Sequence, residues 1–393
     1  MKTTKPAIVL PVYNRPELLS LLLASINRAI YPDTDIELIL SIEAGAPDSI
    51  MNIAESFAFK YGPKTIVQRE ERLGVKAHIM ACADLSERFG SVIILEDDLI
   101  VSPDYYLFAS EALNAYQNDD RVAGIALYAQ RFNETAQLPF EPMPGDYSVW
   151  FMQLGCSWGQ AWTAAQWTRF RKWLDVSKEI SDRKLPPNMR EWDDESWKKR
   201  FNLYMLETRT YFAYPYRSFT TTHSEFGGQH MSKSDRRFQV PLGYFSSEKP
   251  SFNFPRFKDQ PVRYDMYMEF NAAMLALKLE FKYHELCVDL YGTKPDEELK
   301  QHNYVLTPRK GPDPLSKFSV NLKPLELNIL IPSKIKQQPI VYLYSRDQIS
   351  SLKQLSHSQY AELASYFSYF KPESRKFVKG FLPNLYRKIL NLK

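Results

Sequence analysis

Residues 7–12 form a continuous apolar run that stops at Tyr13-Asn14-Arg15-Pro16, and leucines at 18, 19, 21, 22 and 23 then give residues 17–30 a helical stripe. That order predicts strand, turn, helix. A second apolar run covers 36–42, and Gly45, Pro47 and Asp48 open a helix towards Tyr61. A short third strand is expected over 65–68, a helix over 76–88 after Gly74, and a fourth buried strand over 91–95 that ends at Glu96-Asp97-Asp98. Strands alternating with helices at this spacing predict an α/β fold, a mostly parallel sheet with helices on both faces. Ligands of such sheets sit beyond the carboxyl ends of the strands, which selects residues 13–15, Glu43, 69–76 and 96–98. Further along, a helix is expected over 197–208, helical periodicity over 263–278, and strands over 282–289, 319–322 and 325–331. The expected organisation is a main domain over 1–260 in two halves that meet at about 105, an add-on region over 261–370, and a C-terminal appendage over 371–393.

Composition narrows the classes. The chain has 393 residues, and 50 basic against 46 acidic side chains leave +4, which fits neither a nucleic-acid coat nor an acidic disordered chain. No nucleic-acid partner is expected. Hydrophobic residues make up 44% of the chain, enough for a sizeable core. Cys82, Cys156 and Cys287 form no CxxC pair, so neither a disulfide framework nor a cysteine zinc cage is expected. No run approaches the eighteen or so residues of a membrane span, and no signal-type apolar region is visible. A cytoplasmic protein is expected.

Three adjacent carboxylates at the end of a buried strand repel one another unless something positive is bound. Mg²⁺ and Mn²⁺ take oxygen ligands and commonly bridge one or two carboxylates to substrate phosphates. The competing reading is a solvated acidic turn before a helix that begins near Pro103, with Ser102 as N-cap. GxGxxG and GxxxxGK[ST] loops are absent, against ordinary dinucleotide dehydrogenases and P-loop NTPases.

The segments Pro11-Val12-Tyr13-Asn14-Arg15-Pro16, Leu73-Gly74 and residues 94–106 around Glu96-Asp97-Asp98 resemble nucleotide-sugar glycosyltransferases of the GT-A (Rossmann-like) fold, family-two-like and N-acetylglucosaminyltransferase-I-like. The resemblance covers roughly residues 5–235. It implies that Val12, Tyr13 and Arg15 carry base and ribose, that Glu43 meets the base, and that Glu96 and Asp97 contact nucleoside and ribose. It also implies that Asp98 coordinates the Mn²⁺ or Mg²⁺ ion on the diphosphate; Lys76 is a further candidate for the diphosphate.

An inverting transfer also needs a carboxylate that removes the proton of the acceptor hydroxyl. The related enzymes carry it in a Trp-Asp-Asp segment, which places it at Asp194 of Trp192-Asp193-Asp194, with Asp193 beside it as positioner or alternative. Negative charge at a helix N-terminus is the competing reading. Trp158, in a Gly- and Trp-rich stretch over 149–162, is the expected acceptor platform, whereas Trp162, Trp167 and Trp173 are expected in the core. Residues 220–230 read as a loop that closes over the donor, with Gly227-Gly228 as hinge, and some related enzymes supply a metal-binding histidine there, here His223.

Residues 371–393 hold seven basic residues against Glu373, a net +6 that leaves −2 for the rest, and apolar residues recur along them at helical intervals. A basic amphipathic helix on an anionic membrane is expected. The activity expected is transfer from a nucleotide-sugar donor, UDP-linked, to a glycan or lipid-linked glycan acceptor in bacterial surface polysaccharide or lipopolysaccharide synthesis. The alternatives are a sugar-nucleotide nucleotidyltransferase and an inactive glycan- or nucleotide-binding protein.

Overall fold

The computed structural model describes residues 5–32, 34–177, 181–182, 185–194, 196–223, 236–243, 250–331 and 338–367. It divides into two units, Met1–His284 and Glu285–Lys393. The first begins as expected: β1 (Ala7–Val12), α1 (Pro16–Asn27), β2 (Leu38–Ile42), α2 (Asp48–Ser56), β3 (Lys64–Gln68), α3 (Gly74–Asp84), α4 (Ser86–Phe89) and β4 (Ser91–Ile94). It continues through β5 (Leu99–Val101), α5 (Tyr105–Tyr116), β6 (Val122–Ala126), β7 (Phe132–Asn133), β8 (Leu138–Pro139), β9 (Val149–Met152), β10 (Gln160–Thr163) and α6 (Ala164–Val176). Then come α7 (Pro187–Arg190), α8 (Trp197–Thr208), β11 (Tyr211–Pro215), β12 (Thr220–Thr222), β13 (Arg263–Tyr264) and α9 (Ala272–Lys278).

The main sheet runs β13-β9-β11-β6-β10-β4-β1-β2-β3. Strands β3, β2, β1 and β4 are parallel neighbours, whereas β10 runs against both β4 and β6. Every residue of β1, β2 and β4 is buried, the burial on both faces that makes parallel strands continuous apolar runs. One face packs Ile8, Leu10 and Val12 against Leu19, Leu22 and Leu23 of α1 and Tyr105 and Phe108 of α5. The other is aromatic: Trp162 and Trp167 meet Phe201, which also contacts Phe170 and Phe212. Trp162 and Trp167 are fully buried, as expected of core residues, each large apolar side chain contributing about 1.5–3 kcal/mol.

Two expectations are corrected. Helical periodicity over 263–278 resolves into a strand and a shorter helix, because Arg263–Tyr264 pairs with β9 at the sheet edge and only Ala272–Lys278 coils. This strand and helix lie within the first unit, which runs to His284. Ser102 does not cap α5; its hydroxyl donates to Asp104 at 2.7 Å, and Asp104 is fully buried against Arg217.

The second unit holds β14 (Leu286–Val288), α10 (Asp296–Leu299), β15 (Tyr304–Thr307), β16 (Ser316–Phe318), α11 (Leu327–Leu330), β17 (Val341–Ser345) and α12 (His357–Phe367), with sheet order β14-β15-β17-β16. An add-on sheet is present, but its strands differ from those expected at 319–322 and 325–331. The latter coils as α11 because the Asn328 amide ties the turn before it, accepting from Asn321 and Leu322 and donating to the Leu322 and Leu325 carbonyls. Beside β14 and β15, Arg309 and Asp289 are buried together, and the guanidinium also reaches Asp296 and the carbonyls of Gly292 and Lys294. Among the described residues no helix is long and apolar enough to cross a membrane. The expected C-terminal helix and the Gly227-Gly228 hinge lie outside the described residues.

Candidate active site

Strand order reverses at β1 and β4, where one connection leads to β2 and β3 and the chain then returns to the other side of β1. Such a switch point leaves a crevice beyond the strand ends. From β1 it receives Tyr13 and Arg15, and from β4 Glu96, Asp97 and Asp98. Arg15 Nη1 lies 3.1 Å from both Asp97 Oδ1 and Asp98 Oδ2, so one guanidinium bridges two of the three carboxyl groups. Burial works against its charge, but Asp97, Asp98 and Glu96 outweigh burial and hold Arg15 above its usual value. Burial and the charges of Asp98 and Asp97 push Glu96 up to about 8. Burial lifts Asp97 to about 6 against the pull of Arg15, and Asp98 is raised for the same reason. The corner has an excess of negative charge that a cation would relieve.

The ribbon of β5 and β12 brings a distant residue to this corner. Thr222 pairs with Leu99, and the His223 amide donates to the Asp98 carbonyl at 2.9 Å. His223 Nε2 is buried with no hydrogen-bond partner among the described residues, and its ring bears on the Asp98 carboxylate. An orphaned imidazole nitrogen beside a carboxylate in a negative corner fits a divalent cation. Among the described residues no three His, Cys, Asp or Glu side chains converge as a complete cage, and a Mg²⁺-like ion that takes one or two protein ligands fills its shell with water and phosphate oxygens.

Other expected donor residues are placed differently. Val12 packs its side chain in the core, and its carbonyl accepts from the Glu43 amide. Glu43 is 4% exposed, too buried to reach a base. Its Oε1 accepts from the Leu73 amide at 2.9 Å, its Oε2 from the Gly74 amide at 3.0 Å, and His78 Nδ1 lies 3.6 Å from Oε2. It anchors the start of α3, where Gly74 has φ +73°, a conformation that a Cβ would strain. Glu43 thus shapes the crevice without lining it. Lys76 Nζ donates to the Asp194 carbonyl at 3.0 Å, a contact made as α3 packs on α8. Tyr13 lies under Arg72, whose guanidinium carbon is 5.1 Å from the ring centre.

Asp194 and Asp193 are exposed in the loop before α8. The Asp194 carboxylate, 78% exposed, lies 3.0 Å from Lys199 Nζ, and the hydrogen bond and charge of that ammonium hold Asp194 below the usual carboxylate range. Lys199 is 7% exposed at its side chain and also donates to the Arg190 and Trp192 carbonyls at 3.0 and 2.9 Å. It ties down the loop that carries both aspartates. Trp158 is half-buried, with Tyr128 and Phe238 at centroid distances of 4.9 and 4.8 Å. Lys198 Nζ lies 5.4 Å from the Trp158 ring centre and 5.0 Å from that of Trp192, and its charge bears on Glu96. The sequence pattern did not single out Lys198 or Lys199, and it named Trp192 only as the first residue of the Trp192-Asp193-Asp194 segment. The only available signal was Ser196 as a helix N-cap, which fixes the phase of the two lysines.

Residues 7–155 match the family described as Glycosyl transferase family 2. The structure of S. aureus TarS 1-349 in complex with UDP-GlcNAc is 13% identical over 59% of this chain and 61% of that chain, with a TM-score of 0.39. The mannosyltransferase PcManGT from Pyrobaculum calidifontis, in complex with GDP-Man and Mn2+, is 17% identical over 45% of this chain and 47% of that one, with a TM-score of 0.29. GalNAc-T7 with UDP, GalNAc and Mn2+ is 10% identical over 55% and 43%, with a TM-score of 0.39. The chain spans 60% of the unliganded TarS 1-349 structure, less than two thirds of its length. No curated protein matches the chain. The family match runs from β1 across the acidic end of β4 to Gly155 beyond β9, so residues 7–155, less than half of the chain, are similar to glycosyl transferase family 2.

Proposed function

We propose that the protein moves a sugar from a nucleotide-diphosphate donor, UDP-linked, to a carbohydrate hydroxyl with inversion and with the help of Mn²⁺ or Mg²⁺. The observation that carries this reading is the switch-point corner, where Asp97 and Asp98 share the guanidinium of Arg15 and Glu96 adds a third buried carboxyl group whose charge they oppose. Asp98 and His223 would hold the cation. When bound, it would supply Lewis-acid stabilisation of the departing diphosphate. Glu96 and Asp97 contact the nucleoside and ribose, Arg15 bridges and orients the Asp97 and Asp98 carboxylates, and Tyr13 offers a ring face to the base. Asp194 takes the proton of the acceptor hydroxyl, with Asp193 beside it. One base separate from the diphosphate-binding corner is what a single displacement with inversion requires.

Thermal denaturation with UDP, with and without Mn²⁺, tests the donor site. A ligand at a hundred times its Kd adds about 2.7 kcal/mol to apparent stability, so wild type should show a clear shift that depends on the cation. Asp98→Ala should lose the cation-dependent part, while Asp194→Asn should keep it and lose transfer. An unchanged cation-dependent shift in Asp98→Ala would remove Asp98 from the metal site.

A further inference from the structure

We propose that Trp158, Trp192 and Lys198 form an acceptor subsite selective for a negatively charged sugar, one bearing a carboxylate or a phosphate. The inference rests on the transferase reading above and names its acceptor class. Lys198 and Lys199 are neighbours at the start of α8, yet they are satisfied in opposite ways. Lys199 is buried with its three donors placed on two carbonyls and the Asp194 carboxylate. Lys198 is half-buried and has no hydrogen bond or ion pair among the described residues; it lies over two indole rings, and its charge bears on Glu96. An ammonium over indole is attracted by the negative face of the ring, and this contact holds the side chain in place without consuming any of its N–H donors. Those donors remain available to a ligand.

The neighbours of Lys198 indicate which ligand that is. Trp158 is braced on Tyr128 and Phe238, so its ring is a fixed platform, and sugar rings stack their C–H faces on such aromatics. Within the acidic corner, Arg15 occupies the Asp97 and Asp98 end, where the cation and diphosphate are proposed to sit. Lys198 bears on Glu96 at the opposite end of that run. It also follows the Asp193-Asp194 loop in sequence. A cation held against the Trp158 platform and Trp192, four residues after the proposed base in sequence, meets a substituent of the acceptor. Neutral sugars give that ammonium only hydroxyls, whereas an anionic one gives it a charge-assisted hydrogen bond.

The test measures binding of three matched acceptors to the full-length protein in the presence of UDP and Mn²⁺: a methyl hexopyranoside, its uronate and its 6-phosphate, with inorganic phosphate as control. A hydrogen bond to a charged group is worth about 1.5–3 kcal/mol, so an anionic form should bind about tenfold or more tightly than the neutral parent. Lys198→Met, which keeps the apolar stem, should bring that ratio near one without changing the UDP and Mn²⁺ shift, and Lys198→Arg should largely retain it. Equal binding of charged and neutral forms, binding of none of them, or a preference that survives Lys198→Met would overturn the proposal. Inorganic phosphate binding as tightly as the sugar phosphate, or a weakened UDP shift in Lys198→Met, would also overturn it, the last result assigning the lysine to the donor. Loss of the UDP and Mn²⁺ shift in wild type would instead refute the donor reading, and it is read separately.

Discussion

A carboxylate acting as a base must be ionised and within reach of solvent-borne substrate, and Asp194 meets both conditions because its cation comes from below. Lys199 is buried in the start of α8 and donates to Asp194 Oδ1, while the carboxylate stays 78% exposed. The charged groups that bear on Asp194 are Lys199, Arg200 and Lys76, and all three favour its ionised form. The acid limb of kcat/KM should therefore lie below that of an ordinary aspartate. Lys199→Met should raise the Asp194 pKa and move that limb to higher pH, with a loss of stability of about 1–3 kcal/mol for each buried carbonyl left without a donor. Lys199→Arg should restore most of both. A pH profile unchanged in Lys199→Met would mean that another group supplies the base. At this scale the acidic run was legible because Glu96, Asp97 and Asp98 are contiguous and end an apolar strand. The role of Glu43 was not, since a carboxylate after a strand looks the same in sequence whether it faces a ligand or the amides of Leu73 and Gly74.

Among the elements, the parallel strands and α1 follow the apolar pattern closely, and the antiparallel ones do not. The strand β10 enters between β4 and β6, and nothing in the four residues Gln160–Thr163 specifies those partners. The second unit shows the same limit: the Arg309 and Asp289 side chains that tie its strands together are twenty residues apart in sequence and meet through β14 and β15. Burial lifts the Asp289 carboxyl to about 6, while Arg309 pulls it down. A carboxyl raised above its unfolded value favours the folded state below the unfolded pKa, and that contribution is lost as pH rises through about 6. Arg309→Met should cost about 3–5 kcal/mol by leaving a buried charge uncompensated. Because the Asp289 pKa would rise further, the defect should be larger at pH 8 than at pH 5. Hydrogen exchange at Leu286–Val288 reads this directly; protection equal to wild type at pH 8 would show that the pair carries no stability.

On the scale of the whole molecule, charge is unevenly distributed: residues 371–393 carry +6 of a net +4. Lys and Arg near an anionic surface contribute about 1 kcal/mol each, so removal of residues 371–393 should release the protein from anionic vesicles, and raised salt should weaken the full-length chain's binding. Unchanged co-sedimentation of the truncated protein would refute the membrane role. The sequence by itself determined the alternating strands and helices, the buried core strands and the acidic end of β4, because each of these is written in neighbouring residues whose period or contiguity has a direct physical meaning. Folding in three dimensions was needed to see that Lys76 reaches the Asp194 loop and that Lys199 is locked while Lys198 stands between two indoles, and to show how the β5–β12 ribbon carries His223 to Asp98. Those pairings depend on how the β5–β12 ribbon and the α3–α8 contact close, and side chains far apart or adjacent along a chain acquire their partners only when the backbone has set their distance and direction.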